Sequence, residues 1–309
     1  MKTLKLMMVA LLALLPLATG VAVADTEHGY SRMFVFGASF IDPGNHFAVT
    51  GETAHPPFEL FGPSYGIGGH HFSNGRTWVE LMAQELELTK WAKPAYRNPA
   101  FGNYAFGYAR ARDVEPDPME PSIGDQVQAW KDNGYCTGAP MDDTLFVIDS
   151  GYFDVADILA GVDPFVVLSE MTASIDKSIG DLQECGARNL LFAYILPVEI
   201  SPIVPPPEDP TTPSLSAIYN YLFLEPVIQS YASEPDMNVS VVDFFAFVNG
   251  MMAMPEEFGV ANFTDSCVTL AVTDGAFCND RDAYFLWDPL HPTKKVHALF
   301  AEFALEKLP

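Results

Sequence analysis

Basic residues are scarce in this sequence. Its 309 residues hold 16 lysines and arginines against 40 aspartates and glutamates, a formal charge of −24 at pH 7. Such a chain lacks the basic patch with which a nucleic-acid binder displaces counterions from phosphates. It is equally ill suited to docking on an anionic membrane surface. Charged residues of both signs reach only 18%, whereas 49% are apolar. There is ample material for a large core, which excludes disorder. Cysteine is rare as well: four residues, none in C-x-x-C spacing. That speaks against a structural zinc or a thiol-redox centre. Beyond the first two dozen residues no run approaches the roughly 18 uninterrupted apolar residues that a membrane helix needs. The mature chain is therefore expected to have no transmembrane segment.

The first segment, residues 1–24, stands apart. Lys2 and Lys5 precede an apolar run from Leu6 to Leu17, and Ala22-Val23-Ala24 supplies small residues where a signal peptidase reads them. This pattern predicts a signal peptide cleaved after Ala24, with residues 25–309 secreted or periplasmic. Removing it deletes two lysines and no acid, so the remainder is more acidic still. In an exported chain, four cysteines are compatible with two disulfides. Of the three pairings, Cys136 with Cys185 and Cys267 with Cys278 are favoured. The second would staple a short loop. Cys136 and Cys185 each lie shortly before an expected strand, on one edge of a sheet.

Short apolar runs then alternate with helical patterns. Met33–Gly37, Thr144–Asp149, Asn189–Leu196 and Val239–Phe244 read as strands covered on both faces, with Asn103–Phe106 as a weaker fifth. Thr77–Leu88 and Val167–Cys185 carry apolar residues at helical spacing, and a last helix follows His291-Pro292. Gly186 is a natural helix stop. The alternation predicts an α/β fold, a three-layer α/β/α sandwich on a mostly parallel five-stranded sheet. Pro197–Pro213 is too proline-rich for regular structure and is expected to loop over the carboxyl edge of the sheet, where sites form. Residues 245–287 read as a second long irregular region.

The chemistry lies near both ends. Ser39 follows the first strand and Gly37, at a turn where its Oγ points off the sheet edge and backbone N–H groups are free to hold an oxyanion. Far along the chain, His291 stands three residues after Asp288, a spacing at which the carboxylate can orient the imidazole as a base. Either feature alone would be an ordinary turn.

Together, and in order, the segments resemble the GDSL, or SGNH, family of serine esterases and lipases. Gly37-Ala38-Ser39-Phe40 with Asp42-x-Gly44-Asn45 resembles the family's first block. Phe72–Glu80 resembles the entry to its first long helix, and Asn103–Ala109 its second block. Leu145–Asp154 falls at the third, Gly186–Asn189 with the strand and Pro197 also fits, and Asp288-x-x-His291-Pro292-Thr293 resembles the last. The likeness runs from Met33 to the C-terminus. It implies a flavodoxin-like SGNH hydrolase fold and one domain over 25–309, since Ser39 and His291 must meet. By resemblance Ser39 is the nucleophile, His291 the general base and Asp288 its orienting partner. The N–H groups of Ser39 and Gly107 form the oxyanion hole. No cofactor or metal is implied. The expected partner is a small-molecule, lipid or glycan ester, and the protein is expected to be a monomer.

Two positions depart from the family. Ala38 replaces the Asp of the GDSL name. Phe153, in Gly151-Tyr152-Phe153-Asp154, stands where the family has an Asn that donates to the oxyanion. Losing one such donor costs about 10²–10³ in rate. Ser150 or Tyr152 could replace it. Two alternatives follow: a catalytically impaired member that binds a ligand, or an acyltransferase. Of the other histidines, His46 and His55 are expected in solvent-facing loops, His70-His71 at the rim of the site, and His297 on a helix without chemistry. The long loops 46–72, 197–213 and 245–287 could form an apolar acyl pocket or pack as extra core. The acidic surface favours neutral esters.

Overall fold

The computed structural model describes residues 29–51, 66, 70–114, 120–205, 213–268 and 277–309. The expected signal segment and His55 lie outside the described residues.

Four parallel strands form the sheet in the order β1-β2-β3-β4: β1 Arg32–Gly37, β2 Met141–Asp149, β3 Ala187–Tyr194 and β4 Asn238–Asp243. The expected fifth strand is not regular. Asn103 makes one isolated bridge to Val35, and the segment runs beside β1 through Val35 N–H to Gly102 O, Tyr104 N–H to Val35 O and Phe106 N–H to Gly37 O. Asn98, Pro99 and Gly102 disrupt the strand pattern there, and Gly102 is needed because a Cβ would lie 2.2 Å from Met33 O. Counting this segment, the spatial order is 2-1-3-4-5, the flavodoxin-like order.

Strand residues alternate between two cores. Met33, Val35, Leu145, Val147, Leu191 and Ala193 face one layer, built from α2 (Trp78–Glu85), α7 (Phe244–Ala253) and α9 (Lys294–Leu305). Phe34, Phe36, Phe146, Ile148, Leu190 and Phe192 face the other, built from α3 (Ile123–Asp132), α5 (Pro164–Glu184) and α6 (Glu225–Ala232). Both faces are buried, which is why the strands read as unbroken apolar runs. Two shorter helices lie near the carboxyl edge: α1 (Asn45–Thr50) and α4 (Tyr152–Leu159). Thr77 closes α2 with a capping box to Glu80, and Gly186 ends α5 at φ +109°.

Residues 245–287 are not irregular throughout. They hold most of α7, then α8 (Pro255–Phe258) and a two-stranded parallel sheet of β5 (Asn262–Ser266) and β6 (Tyr284–Leu286). The sequence FFAFVNGMMA of α7 is apolar on nearly every side, so it shows little helical periodicity. The disulfides join Cys136 to Cys185 and Cys267 to Cys278. Among the described residues no helix is long and apolar enough to cross a membrane.

Candidate active site

β1 ends in Gly37, and the chain turns at once into a 3₁₀ turn, Ser39–Ile41. Gly37 cannot be larger: a Cβ there would lie 2.2 Å from Asp149 O and 2.6 Å from Ile41 Cδ1. Its N–H and C=O are both held by the buried side-chain amide of Gln126, at 2.8 and 2.9 Å. Ala38 N–H reaches Asp149 O at 3.1 Å. Ser39 is thus fixed at the carboxyl edge. As the first residue of a helical turn, it has an N–H that the turn itself does not use.

His291 arrives from the other end of the chain. Its Nε2 lies 2.9 Å from Ser39 Oγ, and its Nδ1 lies 2.9 and 2.8 Å from the two oxygens of Asp288. Asp288 Oδ1 also accepts the N–H groups of Leu290 and His291, each at 2.8 Å. All three residues are buried. Burial pushes the Asp288 carboxyl up, but the charge and hydrogen bond of His291 and the two N–H donors outweigh it, and the group sits below the usual carboxylate range. With an ionised Asp288 accepting at Nδ1–H, Nε2 is left as the acceptor that faces the serine.

Gly107, the expected oxyanion donor, is tied to the serine turn. Its N–H donates to Asp42 Oδ2 at 2.8 Å. Asp42 is a buried hub that also accepts from Gly44, Asn45 and His46 N–H groups at 2.7, 2.5 and 3.1 Å. Burial raises its pKa to about 6, and those four donors oppose the rise. Asn45 donates to Asn103 O and Ala105 O, and Asn103 donates to Ile41 O, so paired asparagines lock the serine turn to the irregular edge segment. Asp154 accepts the N–H groups of Ala111 and Arg112 and the Arg112 guanidinium, tying α4 to the same segment.

Phe153 lies on the wall of the cavity beside Ser39, its ring edge-on to Tyr108 at 5.1 Å. Tyr108 itself takes a left-handed backbone, φ 65°. The Tyr152 hydroxyl donates to Asp149 and accepts from Leu196 N–H. Ser150 Oγ is buried with no hydrogen-bond partner among the described residues.

Asp149, at the end of β2, accepts from Trp78 Nε1 at 3.1 Å. Burial raises its pKa to about 7, against the opposing donors Trp78 and Tyr152. A carboxyl raised on folding favours the folded state at low pH and loses that contribution as pH rises through the folded value. Asp149→Asn should therefore gain stability relative to wild type as pH rises from about 5 to about 8, read from urea midpoints at each pH. A constant offset would show that Asp149 does not titrate in that window.

Ser39 and His291 open on a cavity of about 240 Å³. Its walls are chiefly apolar: Phe40 and Phe153, Leu196, Val198, Ile200, Leu286 and Leu290. The described start of the proline-rich loop, residues 197–205, lies beside the site through Val198, Ile200, Ser201, Ile203 and Val204, and its remainder up to residue 212 lies outside the described residues. The other described histidines have structural partners. His46 is buried rather than solvent-facing, against Phe72, Phe106 and Tyr108. His70 stacks on Phe47, His71 Nε2 meets Glu80 at 2.7 Å, and His297 Nδ1 accepts Trp78 N–H. Burial drives His297 down to about 3, so it is neutral. Among the described residues, no cluster of His, Cys, Asp or Glu could hold a metal ion.

An α/β sandwich that lines up a serine hydroxyl, an imidazole and a carboxylate beside an apolar cavity has the form shared by serine hydrolases. The family model of the GDSL-like lipase/acylhydrolases matches residues 33–304, and the chain belongs to that family. It is similar to the GDSL esterase/lipase At1g29670 of Arabidopsis thaliana, 24% identical with 94% of this chain and 91% of that protein covered. It is likewise similar to the thermolabile hemolysin of Vibrio parahaemolyticus, 24% identical over 89% of this chain and 63% of that protein. A solved member of the lipolytic G-D-S-L family from Veillonella parvula aligns with 89% of this chain and 96% of its own at 13% identity and TM-score 0.44.

Proposed function

We propose that this ester hydrolase is an exported esterase or lipase acting on neutral esters with apolar acyl groups, through an acyl-serine intermediate on Ser39. The observation that carries this reading is His291, within 2.9 Å of both Ser39 Oγ and Asp288 at the mouth of an apolar cavity. Ser39 Oγ attacks the ester carbonyl carbon while His291 Nε2 takes its proton. The tetrahedral intermediate collapses, the C–O bond to the alcohol breaks, and His291 returns the proton to the leaving oxygen. Water then repeats the attack, with His291 as base, and releases the carboxylic acid. Asp288 holds the imidazole in the productive tautomer and stabilises the imidazolium. Ser39 N–H is the backbone donor to the oxyanion.

Export rests on the signal-like segment 1–24 and the two disulfides. A single unit over 25–309 rests on the meeting of Ser39 with His291. The test is a fluorophosphonate probe with the adduct mapped by mass spectrometry. Labelling of Ser39 that disappears in His291→Ala supports the assignment, and a folded protein that stays unlabelled removes it.

The acyl group can be probed separately. Ala156 lies on the cavity wall. Ala156→Phe should lower kcat/KM for an octanoyl ester about tenfold more than for an acetyl ester. Equal losses on both would place the acyl chain elsewhere. A second reading, slow turnover with retained ligand binding, is favoured by Phe153 and by the Gly107 N–H committed to Asp42.

A further inference from the structure

A second cavity, of about 800 Å³, is lined by α1, the His70-His71 stretch, the start of α2 and the loop that follows it. It contains neither Ser39 nor His291. Three cations line it, Arg76, Lys93 and Arg97, in a chain with only 16 basic residues against 40 acids. Among the described residues none of the three makes an ion pair, and Arg76 donates from Nη1 to Gln84 Oε1 at 2.8 Å. Among the described residues Glu80 is the one acidic wall residue, and its Oε2 is occupied by Thr77 N–H, Thr77 Oγ1 and His71 Nε2.

Two further observations point to a ligand. His71 is a wall residue only 2% exposed, and its Nδ1 is buried with no hydrogen-bond partner among the described residues. Such a group is costly unless something completes it, and an oxyanion completes it when both ring nitrogens carry protons. Aromatic surfaces lie beside the cations: Phe47 is stacked with His70 at 3.9 Å, and Phe101 lies 5.5 Å from Lys93 Nζ. The electropositive setting extends to His70, whose pKa is lowered by burial and by the neighbouring His71 and Arg97.

We infer that this cavity binds a small organic oxyanion, a phosphate or carboxylate carried on an apolar body. Arg76, Lys93 and Arg97 hold the oxyanion, and Phe47 and Phe101 flank the body. Guanidinium groups suit such anions because they present paired donors in the plane of the oxygens. The site is independent of ester cleavage, so its failure would leave the proposed hydrolysis intact.

The test is isothermal titration of the whole protein, at fixed ionic strength, with inorganic phosphate, phenyl phosphate and benzoate in turn. Phenyl phosphate should bind at least about fivefold more tightly than inorganic phosphate, because it uses the aromatic walls. Preference for phenyl phosphate over benzoate assigns the phosphate class, and the reverse order assigns the carboxylate class. The paired change Lys93→Gln with Arg97→Gln should weaken the preferred ligand about tenfold or more, while Lys307→Gln, a cation outside the cavity, should leave it unchanged. Arg76→Gln alone provides a milder second variant should the pair fold poorly. No binding by wild type up to about 10 mM, or binding equally strong in the cavity variants, overturns the inference.

Discussion

Asp288→Asn lowers kcat about 10⁴-fold while leaving the fold intact. The reason lies in how Asp288 Oδ1 is used. It accepts the N–H groups of Leu290 and His291 at 2.8 Å, and both carboxylate oxygens face His291 Nδ1 at 2.8–2.9 Å. An asparagine keeps one carbonyl oxygen, which the two backbone donors hold in place. Its NH₂ then faces Nδ1 and makes that nitrogen an acceptor. The ring proton moves to Nε2 and points at Ser39 Oγ, so the imidazole can no longer take the serine proton. The imidazolium formed during attack also loses its counter-charge. The check is turnover of a p-nitrophenyl ester alongside circular dichroism. A loss below about tenfold with native spectra would remove Asp288 from the machinery.

Phe153→Asn is expected to act in the opposite direction and raise kcat by about 10–100-fold. Gly107 N–H is held by Asp42, and Tyr152 hydroxyl by Asp149. On the proposed reading Ser39 N–H is the backbone donor to the oxyanion, and one side-chain amide would add to it. The gain should fall in kcat with little change in KM, because the amide meets an oxygen that becomes negative only in the transition state. Phe153 is partly exposed and leans on Tyr108, so the stability cost should be small. An unchanged or lower rate, with the fold intact, would mean the site has adapted around the aromatic ring.

Much of this architecture can be read from the residues. The four strands are legible because each is buried on both faces, which leaves runs such as MFVFG and NLLFAYIL. α5 is legible because it covers the sheet with one stripe only. α7 is not, since apolar residues surround it and erase the period. The helical stretch Leu215–Ala232 is hidden for a different reason. Its middle, Ile218–Leu224, is a π-helix whose bonding shifts the repeat, so no 3.6-residue stripe is continuous there. Near Ser39, spacing and order suffice to place Asp288 and His291 as candidates. The commitment of Gly107 N–H to Asp42 is invisible in sequence, because a backbone donor leaves no residue signature. The cationic cavity is equally hidden: its three bases come from separate turns, and only folding brings them to one wall.

Ser39 and His291 stand 252 residues apart along the chain. No nascent chain that stops before His291 can bring the imidazole to the hydroxyl. During synthesis the serine turn, β1 and most of the sheet emerge well before α9, so a nascent chain holds an unactivated serine. Reactivity should therefore appear late and abruptly, as α9 docks on α2 and delivers His291. A time course of probe labelling during in vitro translation would show Ser39 silent until the last helix has left the ribosome. Catalytic competence would then report that α9 has docked.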